Sequence, residues 1–142
     1  MKNTFKTAFL TAIILAVILP SCQKYEEGPF ISLASAKSRA VNNWKIDRAF
    51  SNDSDVTAYF NALWPNFTIE LKSDDTYTTT WSASVSESGT WTFDNPKENI
   101  ILTSSGLGIT STWNILKLKQ DELWVKFTDG TGTLWEYQLV TK

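Results

Sequence analysis

From Trp44 to the end, the chain is a succession of short stretches rich in Thr, Trp, Tyr, Phe, Val and Ile, cut at fairly regular intervals by turn residues. That pattern restricts the fold to an antiparallel all-β sandwich or barrel. In "WNILKLKQDELWVKFT", a two-residue turn at Gln120-Asp121 sets Lys119 opposite Glu122, Leu118 opposite Leu123, Lys117 opposite Trp124 and Leu116 opposite Val125. Apolar then meets apolar on one face, while an ion pair and a cation-aromatic pair form on the other.

Strands that share a core must keep their inward residues opposite one another. Across the "KSDDT" turn, Phe67, Ile69 and Leu71 face Trp81, Thr79 and Tyr77. A three-residue "SES" loop would then bring Val85, Ala83 and Trp81 against Gly89, Trp91 and Phe93. Ile100 and Leu102 follow "DNPKEN", with Ile101 leaving the facing of that strand open. Trp135, Tyr137 and Leu139 point inward if the preceding glycine-containing loop has an odd number of residues.

With Trp44-Ile46-Arg48-Phe50 as the inward face of a first strand, the count reaches eight strands joined mainly by short hairpins. The expected fold is an eight-stranded antiparallel up-and-down barrel. One insertion interrupts it. "NDSDVTAYFNALWP" reads as a short amphipathic helix after the first strand, with Asp53 or Ser54 as N-cap, Val56, Tyr59, Phe60 and Leu63 as its apolar side and Pro65 as its stop. It is expected to lie over one open end of the barrel.

The chain begins with Lys2 and Lys6, an apolar run from Ala8 to Leu19, then Ser21 and Cys22, the only cysteine. This is the arrangement of a secretory signal peptide, and the run is shorter than the roughly 20 apolar residues of a membrane span. The expected organisation is a signal peptide over 1–21, an exposed tether over 22–40 and a barrel domain over 41–142. Removing 21 of the 142 residues leaves 121, enough for one domain with a core. Losing Lys2 and Lys6 leaves 11 basic against 15 acidic residues, a net charge of −4.

An acidic balance without clustered Lys or Arg argues against nucleic acid as a partner. Without histidine, and with one cysteine, the chain has no ligand set for zinc or haem and no intrachain disulfide. No metal site and no cofactor are expected. The acidic pairs Asp74-Asp75, Asp53/Asp55 and Glu26-Glu27 each sit at a turn, a helix start or the tether, so enzymatic activity is not expected either.

Two sets of residues are candidates for binding. Arg48, placed inward by alternation, would anchor a ligand carboxylate with Tyr59, Phe60 and Leu63 closing over the tail; the alternative is that Arg48 lies at the strand end and reaches into solvent or stacks on a tryptophan. Trp64 and Trp124, if exposed, would form an aromatic platform for a sugar ring or a protein, unless Lys117 or the "ISLASAKSRA" segment covers Trp124. An eight-stranded barrel is either filled by side chains or holds one small ligand. Inward Trp44, Trp81, Trp91, Trp135, Phe67, Phe93, Phe127, Tyr77 and Tyr137 supply bulk for filling.

Leu19-Pro20-Ser21-Cys22 resembles the lipobox of bacterial lipoproteins, which implies acylation at Cys22; a plain signal peptide cut near Ser21 is the alternative. "QKYEE" is similar to the lysine-plus-acidic-pair signal that sends Bacteroidetes lipoproteins to the outer face of the outer membrane, and otherwise reads as a solvated tether. "GPFISLASAKSRAVNNWKIDRAF", "DDTYTTTW", "SGTWTFDNPKENIILT" and "ILKLKQDELWVKF" resemble the small lipocalin-like lipoproteins of Bacteroidetes over nearly the whole mature chain. That resemblance implies a lipocalin-like barrel, lipid-anchored at the outer membrane and facing the exterior. The expected role is a structural or envelope-partner-binding module; the alternatives are a carrier of a small apolar or anionic lipid-like ligand and a carbohydrate-binding module.

Overall fold

A computed structural model of the protein describes residues 34–142. In chain order these form α1 (Ala36–Ala40), β1 (Asn42–Ser51), β2 (Ser54–Asp55), α2 (Thr57–Leu63), β3 (Thr68–Leu71), β4 (Thr76–Ser82), β5 (Val85–Phe93), β6 (Asn99–Ser104), β7 (Thr110–Leu118), β8 (Glu122–Thr128) and β9 (Leu134–Thr141). Strands β1 and β3 to β9 pair in sequence, and β1 closes the sheet against β9. The result is the expected closed eight-stranded antiparallel barrel, with β2 as one extra strand paired to β1. Closure leaves no long unpaired edge in the barrel wall.

The barrel has two unlike ends. At the base, Trp44, Trp91, Ile69, Leu71, Ile100, Leu118, Leu123, Val125 and Leu139 are fully buried and fill the interior. Removing each such aliphatic side chain from water contributes about 1.5–3 kcal/mol. Helix α1 closes this end. Ser35 caps it by accepting from the Ser38 backbone N–H, Ala40 is buried, and the Trp44 indole N–H donates to the Ala40 carbonyl at 2.9 Å. Arg39 Nη1 donates to the Leu118 carbonyl at 2.7 Å. Part of the segment expected as a tether, Ala36–Ala40, is thus packed on the barrel.

The described strands carry three register shifts, in β1, in β4 between Thr80 and Ser82, and in β7, and those in β1 and β7 change the facing that simple alternation predicts. In β1 the register shifts between Ile46 and Arg48, so Asp47 is the extra residue, Ala49 turns inward and Arg48 turns out. In β7 the shift lies between Ile115 and Lys117. Leu118 faces Leu123 and Lys117 faces Trp124 as expected, but Ile115 rather than Leu116 faces Val125. An inserted residue resets the two-residue period for everything beyond it. Trp113 therefore points inward, where Leu116 was expected to set the face.

The hairpin from β4 to β5 turns at Ala83-Ser84 rather than at Ser86-Glu87-Ser88, because Ser82 pairs with Val85. Glu87 consequently lies opposite Thr79, and Gly89 lies opposite Tyr77. The β3–β4 register is as expected, with Ile69 opposite Thr79 and Leu71 opposite Tyr77. On β6, Ile100 and Leu102 are buried, which settles the facing left open by Ile101. The N-cap of α2 is Val56, not Asp53 or Ser54. Asn52 and Asp53 both adopt positive φ, 47° and 63°, in a two-residue turn that pairs Ser51 with Ser54, the arrangement a tight hairpin requires. Asp55 then takes over the start of the helix by accepting from the Thr57 N–H and hydroxyl.

Candidate functional site

The mouth, opposite the base, is open. Beneath α2 the barrel holds a cavity of about 380 Å³, within the range of small-molecule sites. Its walls are the upper parts of the same strands whose lower parts form the solid core. Phe60, buried on the inner side of α2, meets Phe67 and Tyr137 edge-on at 5.3 and 5.4 Å. Trp113 stacks on Phe127 at 5.0 Å, and Trp81 joins Phe67 to Trp64 through edge contacts of 4.9 and 5.4 Å. These rings brace one another around the wall, so their number does not fill the axis. Edge-to-face contact between rings is favourable in itself.

Polar groups enter at a few points. Thr79, Ser104 and Ser111 line the cavity, and so do the acidic residues Glu87 and Asp129. No Lys or Arg is among the lining residues. Tyr77 donates its hydroxyl proton to Glu87. Burial, then the hydrogen bond to Glu87 and its charge, push the Tyr77 hydroxyl above the ordinary tyrosine range. Burial and the Asp129 charge do the same to Tyr137. Both remain protonated at neutral pH.

Asp129 organises the β8–β9 loop. It accepts from the Thr131 hydroxyl at 2.6 Å, the Trp135 indole N–H at 2.9 Å, and the backbone N–H groups of Thr131 and Thr133. These bonds, the Thr131 hydroxyl first, hold its pKa down at about 2. A carboxylate depressed in this way supports the loop fully above the ordinary carboxylate range and loses that support progressively as pH falls from that range through about 2.

The proposed ligand residues separate. Phe60 is buried in the mouth, while Tyr59 and Leu63 line the cavity at its rim, 67% and 51% exposed. With Leu107 and Ile109, 76% and 62% exposed, they extend the apolar surface outward from the opening. Arg48 does not join them. On the outer surface it pairs with Asp55 at 2.9 Å and lies over the Phe50 ring at 4.8 Å, the solvent-facing alternative for this residue. An ion pair this exposed contributes little to stability.

Trp64 and Trp124 form no common platform. Trp64 packs on Trp81 and lines the cavity. Trp124 faces outward on β8, with Lys117 Nζ 3.4 Å from its ring centroid and Lys117 also paired to Glu122. Cys22 lies outside the described residues. Sequence reasoning missed Trp113 behind the β7 bulge, Glu87 in a supposed loop, and the rim residues Leu107 and Ile109. The pairing of a large Tyr77 with Gly89 was the available signal for the correct β4–β5 turn, since it matches size as well as Trp91 over Ala83 does.

Among the described residues no cluster of His, Cys, Asp and Glu is placed to hold a metal ion. No helix among them is long and apolar enough to cross a membrane. No protein-family model matches the chain, and no curated protein is a significant match. Among solved structures, a DUF4847 family protein from Bacteroides vulgatus is similar to this chain with a TM-score of 0.44 and 14% sequence identity, over 70% of this chain and 92% of that one.

Proposed function

We propose that the barrel is a carrier or receptor for a small apolar molecule, which enters through the open mouth and lies beneath α2. The observation that carries this reading is the cavity of about 380 Å³ above a solid base. A barrel serving only as a structural module has no need of an apolar hollow, and leaving one unfilled forfeits packing. The exposed Tyr59, Leu63, Leu107 and Ile109 give an incoming apolar group a surface continuous with the interior.

The test is a titration of the full chain with decanol, a neutral apolar chain, against Thr79→Phe. Thr79 is buried in the wall and lines the cavity, so a phenylalanine there occupies the space the chain would take. Wild type should bind saturably, and the variant should bind at least about tenfold more weakly while melting no lower. Absence of saturable binding by folded wild type would remove the carrier reading.

The anchoring part of the proposal rests on the sequence before the described residues. Leu19-Pro20-Ser21-Cys22 and "QKYEE" support a lipoprotein held at the outer membrane, and the resemblance to small lipocalin-like lipoproteins of Bacteroidetes supports the same address. More than one acyl chain is needed for stable anchoring. The polypeptide reaches the barrel at its base through α1, so an anchor at Cys22 joins the domain at the end opposite the mouth. Metabolic labelling with a palmitate analogue should tag wild type and spare Cys22→Ser; equal labelling of both would contradict acylation at this residue.

A further inference from the structure

The charge of the cavity selects among apolar ligands. Its lining residues include the acidic Glu87 and Asp129 and no Lys or Arg. Asp129 is committed to its own loop through Thr131, Thr133 and Trp135. Glu87 differs. Its one described side-chain partner is the Tyr77 hydroxyl, and it stands on the inner face of β5 opposite Thr79, exposed at the entrance to the cavity. The same cavity is lined by indole and phenyl rings, among them Trp81, Trp113 and Phe127.

Resting on the carrier reading, we propose that the ligand is an organic cation, an amine or quaternary ammonium group on an apolar body, with Glu87 as its counter-ion. Two independent features favour the positive head. A carboxylate at the entrance attracts a cation and repels an anion, and aromatic rings attract a cation through their quadrupoles, more strongly where water is excluded. A fatty-acid carboxylate would meet Glu87 and Asp129 with no basic residue in the lining to offset them. The anionic lipid-like ligand expected with Arg48 as its anchor is therefore replaced by one of opposite charge, since Arg48 is on the outer surface bound to Asp55.

The experiment titrates the full chain at neutral pH with decylamine, decyltrimethylammonium, decanol and decanoate, each below its aggregation concentration, and repeats it with Glu87→Gln. Glutamine keeps an acceptor for Tyr77 while removing the charge. The two ammonium compounds should bind about tenfold or more tightly than decanol, and decanoate should bind most weakly. In Glu87→Gln the ammonium compounds should fall to within about threefold of decanol measured on the same variant, with a far-UV circular dichroism spectrum and a thermal melt like those of wild type reporting that the variant is folded. Decanoate binding as tightly as the ammonium compounds, or an ammonium advantage that survives Glu87→Gln, would overturn the inference. Decanol binding without ammonium preference defeats this inference alone; failure of all four chains to bind defeats the carrier reading beneath it.

Discussion

Gly89→Ala is expected to destabilise the protein by about 3 kcal/mol or more, at the upper end of what overpacking costs. Gly89 is buried on β5 between Tyr77 and β6. A Cβ built there would run into the Thr103 carbonyl and lie 2.7 Å from Tyr77 Cε1. The φ of Gly89 is not in the positive region, so the requirement for glycine is one of space alone. Neither neighbour can give way cheaply. The Thr103 carbonyl belongs to the β5–β6 ladder, in which Thr103 pairs with Thr90 and Ser104 with Gly89, and Tyr77 is held by its hydrogen bond to Glu87. Urea unfolding should show a midpoint far below wild type, or no folded baseline. A midpoint within experimental error of wild type would mean that neither the Thr103 carbonyl nor Tyr77 lies against this glycine as described.

Trp44→Ala is expected to cost about 3–5 kcal/mol, the range for truncating a fully buried large aromatic residue. Trp44 is entirely inaccessible. It joins three parts of the base, pairing with Ile69 on β3 and Thr141 on β9 and donating its indole N–H to Ala40 at the end of α1. Trp44→Phe separates the contributions: it retains most of the apolar volume and loses the hydrogen bond, for about 1–3 kcal/mol with the Ala40 carbonyl left without its indole donor. Denaturant midpoints should therefore rank wild type, Trp44→Phe, Trp44→Ala. Equal midpoints for wild type and Trp44→Ala would show that α1 and the base are not held together through this ring.

The residues that make the barrel are largely legible in the sequence. Turn residues at "KSDDT" and Gln120-Asp121 have side-chain and backbone preferences that act locally, and the apolar faces of β3, β4, β8 and β9 agree on one register. Bulges defeat that reasoning because they carry no comparable turn signature. In β1 the sole trace is the adjacent polar pair Asp47-Arg48 between Ile46 and Ala49; in β7 it is the adjacent apolar pair Ile115-Leu116. Each reverses which side of the sheet the following or preceding residues occupy, and the candidate site was misread at those places: Arg48 left the interior and Trp113 entered it.

The hollow mouth was illegible for a different reason. Counting inward aromatic residues measures the volume available for filling, but whether the rings cross the axis or line the wall depends on how they pack against one another. Here Phe67, Trp81, Trp135 and Tyr137 meet edge-on, with Phe60 of α2 set against Phe67, Trp135 and Tyr137, and a cavity remains that all five line. Helix α2 could be read from its apolar spacing and placed over an open end. Its inner anchor is Phe60, while Tyr59 and Leu63 remain at the rim.

The seven tryptophans provide the most direct measurement of whether the mouth takes an apolar molecule. Trp64, Trp81, Trp113 and Trp135 line the cavity, whereas Trp44, Trp91 and Trp124 do not. Trp44 and Trp91 are buried in the base, their indoles bonded to Ala40 and Lys72 carbonyls, and Trp124 lies outside under Lys117. The decanol titration, followed through the indole N–H resonances of the isotopically labelled full chain, should shift the first four saturably with one common dissociation constant and leave the other three in place. If the four cavity indoles stay unmoved while the protein is folded, or if all seven move together without saturation, the mouth is not a binding site and the central claim is wrong.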